Sequence, residues 1–268
     1  MIRFYNENDR ENLIFLWNEA FGDEREAIEF FLDNRCIPQN TVVYEKNGKI
    51  ASMLFLLEGK LLHKSVNYNA YYLYAAATLK KFRGRGIMKE MLDYAAKLSL
   101  ERKIDFICLK PAEKNLYKYY DSNGYKTIFR SKTVFFSAKE TDNIRITYDN
   151  ESDRFIWDSF AAEYATAQHK FYGGKAIINR NGQCLYSIED DVCSVKDINF
   201  TGCAIVDFIK EIYRTETFKQ FKITLPFSTG INVDNCFVDD SGMALAITER
   251  ADDVISEINN AYLNLTLD

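Results

Sequence analysis

Apolar positions along the chain switch repeatedly between a period near 3.6 and a period near 2, the mark of interleaved helices and strands. Ile2-Arg3-Phe4-Tyr5 alternates as a short strand. Leu13, Leu16, Trp17, Ala20 and Phe21 share one helical face behind a cap at Asn8 or Asp9, and Gly22 ends that helix. A second helix opens at Asp23 and carries Ala27, Ile28, Phe31 and Leu32. Residues 41–44 and 50–57 predict two strands joined over Asn47-Gly48, because a type I′ turn needs positive φ at both central positions. Residues 71–78 are apolar throughout and predict a central strand covered on both faces, with helix as the rival reading for so many alanines. From Ile87 the stripe Met88, Met91, Leu92, Ala95 and Leu98 predicts a helix to Glu101. A buried strand at 105–109 and a helix at 115–122 follow, the latter stopped by Asn123-Gly124.

The apolar pattern lapses around 137–143 and then partly repeats. A strand is expected at 145–148, a helix from Ser152 to about Ala165, and a hairpin at 175–189 turned by Asn181-Gly182. A strand at 192–200, a helix at 204–213 and strands at 221–225 and 243–247 complete the order. The expected division is therefore a first domain at 1–140 and a second at 141–268, both α/β.

Composition narrows the function. Hydrophobic residues make up 47% and charged residues 27% of 268, which excludes a disordered or collagen-like chain. No apolar run reaches the roughly 18 residues of a membrane helix, and the polar start lacks a signal-peptide core. A net charge of −5 argues against a nucleic-acid binder. The six cysteines form no Cys-x-x-Cys pair and read as free thiols of a reducing cytoplasmic compartment. His63 and His169 have no ligand spacing around them, so no metal is expected. His169 and the Glu189-Asp190-Asp191 run read as structural.

The chemistry concentrates in Lys80-Lys81-Phe82-Arg83-Gly84-Arg85-Gly86, between the central strand and its helix. A helix N-terminus offers unpaired N–H groups and partial positive charge, and glycines admit a ligand close to the backbone. Two readings fit: a phosphate site, or a tight turn with a solvated basic rim. Lys89 occupies the third position of a Gly-x-Gly-x-x-Gly pattern, and no Gly-Lys-Ser/Thr is present, so dinucleotide and P-loop readings fit worse.

Residues 72–78 followed by Lys81-Phe82-Arg83-Gly84-Arg85-Gly86-Ile87-Met88 resemble the acetyl-CoA motif (Gln/Arg)-x-x-Gly-x-(Gly/Ala) of the GNAT superfamily of N-acetyltransferases, with Lys81 at its first position. The segment 109–125, ending Tyr120-Asp121-Ser122-Asn123-Gly124-Tyr125, is similar to the family's later Tyr-x-x-x-Gly-(Phe/Tyr) motif. The resemblance covers about residues 1–140. Residues 182–189, 195–198 and 222–226 resemble the degenerate second domain of two-domain acetyltransferases of the enhanced-intracellular-survival type. That group continues into a sterol-carrier-like third domain, for which 268 residues leave no room. The implied fold is a mixed central sheet flanked by helices, with a second, degenerate GNAT-like α/β domain.

By this resemblance Ala76, Ala77 and Thr78 bind the pantetheine arm of acetyl-CoA. The backbone of Arg83, Gly84, Arg85, Gly86 and Ile87 cradles the pyrophosphate, and Asn115 is a further cofactor contact or a helix cap. Tyr120, rather than its neighbours Tyr117 and Tyr119, protonates the leaving thiolate. The implied acceptor is a primary amine of a small molecule or peptide. Residues 68–78 hold no acidic side chain, so Glu58 on the preceding strand and the terminal Asp268 are the candidate bases. The rival reading is a non-catalytic acyl-CoA-binding module. Self-association is compatible with either.

Overall fold

The computed structural model of the protein describes residues 1–147, 152–180, 182–200 and 204–264. In chain order its elements are β1 (Ile2–Phe4), α1 (Arg10–Phe21), α2 (Arg25–Arg35), β2 (Thr41–Lys46), β3 (Lys49–His63), β4 (Val66–Thr78), α3 (Ile87–Glu101), β5 (Phe106–Leu109), α4 (Lys114–Asp121) and β6 (Lys126–Ser137). They continue as β7 (Ile146–Thr147), β8 (Arg154–Trp157), α5 (Ser159–Phe171), β9 (Lys175–Asn179), β10 (Gly182–Glu189), β11 (Val192–Phe200), α6 (Ala204–Thr215), β12 (Gln220–Pro226), β13 (Gly230–Ile231), β14 (Cys236–Ala246) and α7 (Glu249–Ile255).

The chain divides into two compact units. The first comprises Met1–Lys60, Tyr68–Lys126 and Met243–Ile255. Its strands run in the order β1-β2-β3-β4-β5-β14. β2 pairs antiparallel with β3 around Asn47 and Gly48, whose φ values of 54° and 71° match the expected type I′ turn. β4 pairs parallel with β5, and the end of β14 pairs antiparallel with β5, Met243 opposite Leu109. A parallel pair requires a crossover, and α3 supplies it. Ile87, Met91, Leu92, Ala95 and Leu98 of α3 pack on Tyr71, Leu73, Ile107 and Leu109, so the 3.6-residue stripe seats the helix on the apolar strands.

The second unit comprises Leu61–Asn67, Thr127–Gly242 and Ser256–Asp268. Its ladder runs β6-β12-β11-β10-β9, with β11 and β12 parallel and the other pairs antiparallel. α6 is the crossover, and Ile205, Phe208, Ile209 and Ile212 bury its apolar face. The β11–α6–β12 arrangement repeats β4–α3–β5. The architecture is the mixed-sheet GNAT fold that the motifs imply.

Several local expectations change. The helix expected from Ser152 is a strand at Arg154–Trp157 and then α5, because Asp158 caps the helix by accepting the Ala161 amide at 2.6 Å. Aromatic Phe155 and Trp157, with ring centroids 4.8 Å apart, suit an extended backbone better than a first helical turn. The second helix starts at Arg25, since the Asp23 carboxylate accepts the Trp17 indole N–H at 2.7 Å. Asp9, one of the two expected caps, is the cap position of α1 but makes no side-chain cap bond there; the side-chain cap lies one short turn earlier, at Asn6, which accepts from the Asn8 amide while Asp9 accepts from the Asn6 amide. β3 continues to His63, so Glu58 lies within a strand. The strand expected at 243–247 begins at Cys236. Tyr148 and Asn181 lie outside the described residues.

Candidate active site

β4 carries the first part of the site. Its ladder with β5 runs from Ala70–Phe106 to Tyr72–Cys108, and β4 extends six residues further, to Thr78. Within that extension Ala75 has φ 45°, a left-handed conformation that interrupts the strand's regular pleat. Tyr74, Ala75 and Ala76 are half-buried between buried neighbours. Ser52 on β3 fixes the end of the strand: its hydroxyl donates to the Ala77 carbonyl at 2.6 Å and lies 2.9 Å from the Thr78 hydroxyl. The Arg83 Nε–H donates to the Thr78 carbonyl at 2.9 Å. Ala77 and Thr78 thus have their carbonyls engaged by side chains of the protein itself.

The loop follows immediately. Gly84 and Gly86 have φ of 72° and 78°, where a side-chain-bearing residue is strained. Nothing lies within 4 Å of the place a Cβ would take at either glycine, so backbone sign requires them and packing does not. Gly86 caps α3 without a side-chain bond, which leaves the first-turn N–H groups of a 15-residue helix without a side-chain cap. The Ile87 side chain is buried among Met91 and Leu73 and anchors the helix, so only its backbone can face a ligand. Arg83 and Arg85 are exposed. The half-buried Phe82 ring gathers Lys81 Nζ at 5.2 Å, Arg85 Cζ at 5.7 Å and Lys46 Nζ at 5.9 Å from its centroid.

Tyr120 lies in the apolar cluster that also holds Leu73, Ile87 and Met91. Its ring makes edge contacts with Tyr119 at 5.5 Å and Tyr125 at 5.4 Å. Burial, with a smaller contribution from Tyr119, pushes its hydroxyl up to about 12. Among the described residues it is the neighbouring Tyr125 hydroxyl that is buried without a hydrogen-bond partner. Tyr125 is fully buried and burial raises it further still. Gly124 (φ 88°) turns the chain back after α4, and Leu245 lies 3.2 Å from the position of a Cβ there. Asn115 is exposed and donates to Glu113 at 3.0 Å. Glu113, not Asn115, occupies the cap position of α4, so the capping reading of Asn115 fails.

Glu58 stands apart from this group. Glu58 is exposed and accepts from Asn40 Nδ2 at 3.2 Å. Asn40 accepts from Arg102 at 2.7 Å, and Arg102 also reaches the Tyr71 hydroxyl at 3.2 Å. Arg102 caps the C-terminal end of α3. A helix of that length spans about 22 Å, so Glu58 is tied to the end remote from the glycine loop. Asp268 lies outside the described residues.

Sequence reasoning missed Ser52, the kink at Ala75 and the approach of Lys46 to Phe82. Alanine carries no signal for positive φ, and neither Ser52 nor Lys46 belongs to a local motif. Among the described residues no group of three or more His, Cys, Asp or Glu side chains is arranged for a metal ion. Cys36, Cys108, Cys184, Cys193 and Cys236 are free thiols, and Cys203 lies outside the described residues. His169 Nε2 lies 2.8 Å from the Tyr186 carbonyl. Among the described residues no helix is long and apolar enough to cross a membrane.

Comparison with known proteins adds the following. Residues 1–128 match the family model described as an acetyltransferase (GNAT) domain. A conserved Enterococcus faecalis V583 protein, described as a probable N-acyltransferase, superposes with a TM-score of 0.72 at 13% identity, over 94% of this chain and 73% of that one. Eis1 from Mycobacterium abscessus gives 0.70 at 10% identity, over 92% and 74%. A GCN5-related N-acetyltransferase from Kribbella flavida gives 0.67 at 11% identity, over 94% and 73%. These likenesses establish a shared fold. No curated protein sequence matches the chain.

Proposed function

We propose that this chain, whose residues 1–128 are a GNAT acetyltransferase domain, moves an acetyl group from acetyl-CoA to a primary amine of a small molecule or peptide. The observation that carries the reading is the positive-φ glycine pair with open space above it, at the head of a helix whose first-turn N–H groups have no side-chain cap. Such a cradle suits a pyrophosphate, and Arg83, Gly84, Arg85, Gly86 and Ile87 would hold it through their backbone. Ala76, Ala77 and Thr78 would run beside the pantetheine arm. The carbonyls of Ala77 and Thr78 are already engaged, which leaves Ala76, beside the kink, as the principal partner. Asn115 would be a further, exposed contact.

In the reaction the amine nitrogen bonds to the thioester carbonyl carbon, the C–S bond breaks, and the leaving thiolate takes the Tyr120 proton. A phenol at about 12 donating to a thiol of ordinary pKa ~8.5 is uphill by roughly 5 kcal/mol. The apolar surroundings that raise the phenol also raise a thiolate beside it, which narrows that gap. The acceptor must shed a proton first, at about 4.6 kcal/mol for an amine of pKa ~10.4 at pH 7. Glu58 and Asp268 are the candidate acceptors of that proton. The free thiols support a reducing, cytoplasmic setting.

Thiol release from acetyl-CoA with a panel of primary amines tests this. Tyr120→Phe is expected to lower kcat by about 10- to 100-fold with acetyl-CoA affinity unchanged. Acetyl-CoA binding by the native protein without turnover on any amine would favour the non-catalytic acyl-CoA-binding reading. That reading draws its support from the absence of acidic side chains between Tyr68 and Thr78.

A further inference from the structure

The β3–β4 connection is built from residues that do not favour it. β3 ends at His63 and β4 starts at Val66, so Lys64 and Ser65 make the turn alone, with φ of 46° and 65°. Two central residues at positive φ suit a pair such as Asn47-Gly48, and not a lysine followed by a serine. Tertiary contacts hold the turn instead. The Asp153 carboxylate spans it: Oδ1 accepts the Lys64 amide at 3.2 Å, and Oδ2 lies 2.8 Å from His63 Nδ1. Glu257 stands at the opposite ring nitrogen. Its Oε2 pairs with Lys64 Nζ and lies 3.7 Å from His63 Nε2. All of these residues belong to the second unit. Among the described residues, the charged groups that face the imidazole are Asp153 from before β8, Glu257 from after α7, and Lys64 from the turn itself.

The His63 side chain is only 4% exposed, and its Nε2 is buried without a hydrogen-bond partner. An ionised carboxylate accepts hydrogen bonds and cannot donate one. A neutral ring that donates Nδ1–H to Asp153 therefore turns its Nε2 lone pair toward Glu257, with no proton between them. The imidazolium ion can donate to both carboxylates. A charge-assisted N–H···O bond is about 2.7–2.9 Å long, so Glu257 Oε2 has about 1 Å left to close. Its side chain is 49% exposed, which leaves room for that movement. Glu257 also keeps its charge in acid: the Lys64 ammonium first, and the His63 ring after it, hold its carboxyl below the usual carboxylate range. We propose that His63, Asp153 and Glu257 form a proton-operated latch on the β3–β4 turn, open at Nε2 while the ring is neutral and closed onto Glu257 once it is charged. The closed latch tightens a turn whose own residues strain it. It stands independently of the acetyl-CoA reading. Histidine is the side chain whose charge ordinarily changes between pH 5 and 8, and that is the range over which the latch is read.

The test is a pH titration of the imidazole resonances of the full chain by NMR. The sequence holds two histidines, so His63→Gln identifies the His63 signals by their loss. Glu257→Gln is expected to move the His63 titration to lower pH by about 0.5 or more, and to leave the His169 signals in place. Lys64→Gln leaves Glu257 to the ring alone and should move the titration the other way. The bond to Glu257 exists only with the ring charged, so its contribution is present in acid and is lost as pH rises. Glu257→Gln should therefore lower the urea midpoint more at pH 5.5 than at pH 8.5. A Glu257 that merely holds Lys64 would lower the two midpoints equally, and that result overturns the latch. A His63 titration unchanged by Glu257→Gln overturns it as well, as do shifts in the same direction for both variants, or a ring that keeps one charge state from pH 5 to 9.

Discussion

On the proposed reading, two backbone angles and one buried phenol carry the chemistry at the scale of single residues. Gly84 and Gly86 hold positive φ with nothing within 4 Å of a Cβ position, and burial pushes the Tyr120 hydroxyl up to about 12. The tyrosine has a consequence for stability. Its pKa is raised on folding, so its contribution is fully present below pH 10 and is lost as the unfolded chain ionises between pH 10 and 12. Tyr125 acts in the same direction. By pH 11 Tyr120 alone should have cost about 1.4 kcal/mol. Urea midpoints at pH 9 and 11 should therefore fall for the native protein and fall less for Tyr120→Phe. An identical fall in the two proteins would remove Tyr120 from the account. Both glycines and Tyr120 are legible in the sequence because each sits in a local motif with fixed spacing. Ala75 is not, because the kink at a residue that normally avoids positive φ is imposed by its tertiary setting.

Among the elements, β4, the loop and α3 act as one piece. Residues 71–78 and 87–101 were readable because burial on both strand faces and a 3.6-residue stripe leave a direct trace in the letters. The partner of β5 was not readable. β14 reaches it from the far end of the chain, and only long-range pairing decides that. Asp105 secures this return. Its buried carboxylate accepts from the Asn69 amide at 2.9 Å, the Thr248 hydroxyl at 2.8 Å and Arg250 Nε at 2.9 Å. Arg250 in turn lies over Tyr68, 4.6 Å from its centroid. Hydrogen bonds to a charged group contribute about 1.5–3 kcal/mol each and do not simply add. Asp105→Ala should therefore lower unfolding free energy by about 2–4 kcal/mol in chemical denaturation. A loss below ~1 kcal/mol would mean that the carboxylate does not hold β14 and α7 in place.

For the whole molecule, the two units draw on both halves of the sequence. The first takes the end of β14 and α7 from the C-terminal half, and the second takes Leu61–Asn67 and β6 from Thr127 onward from the N-terminal half. Each unit has one parallel crossover followed by an antiparallel neighbour, as expected of two related α/β units. Only the first keeps a Gly-x-Gly pair between strand and helix; the second has the single Gly202 there. On the proposed reading, function is concentrated on one unit of a chain with a net charge of −5. The acceptor remains the least legible part, since no motif in the letters marks an amine site. The most direct measurement is calorimetric titration of the full chain with acetyl-CoA, beside a Gly84→Val/Gly86→Val variant. The account predicts micromolar binding by the native protein, weakened at least about tenfold in the variant, because β-branched residues cannot hold that backbone without strain. Native protein that takes up no acetyl-CoA, or a variant that binds it equally well, would contradict the assignment of the loop.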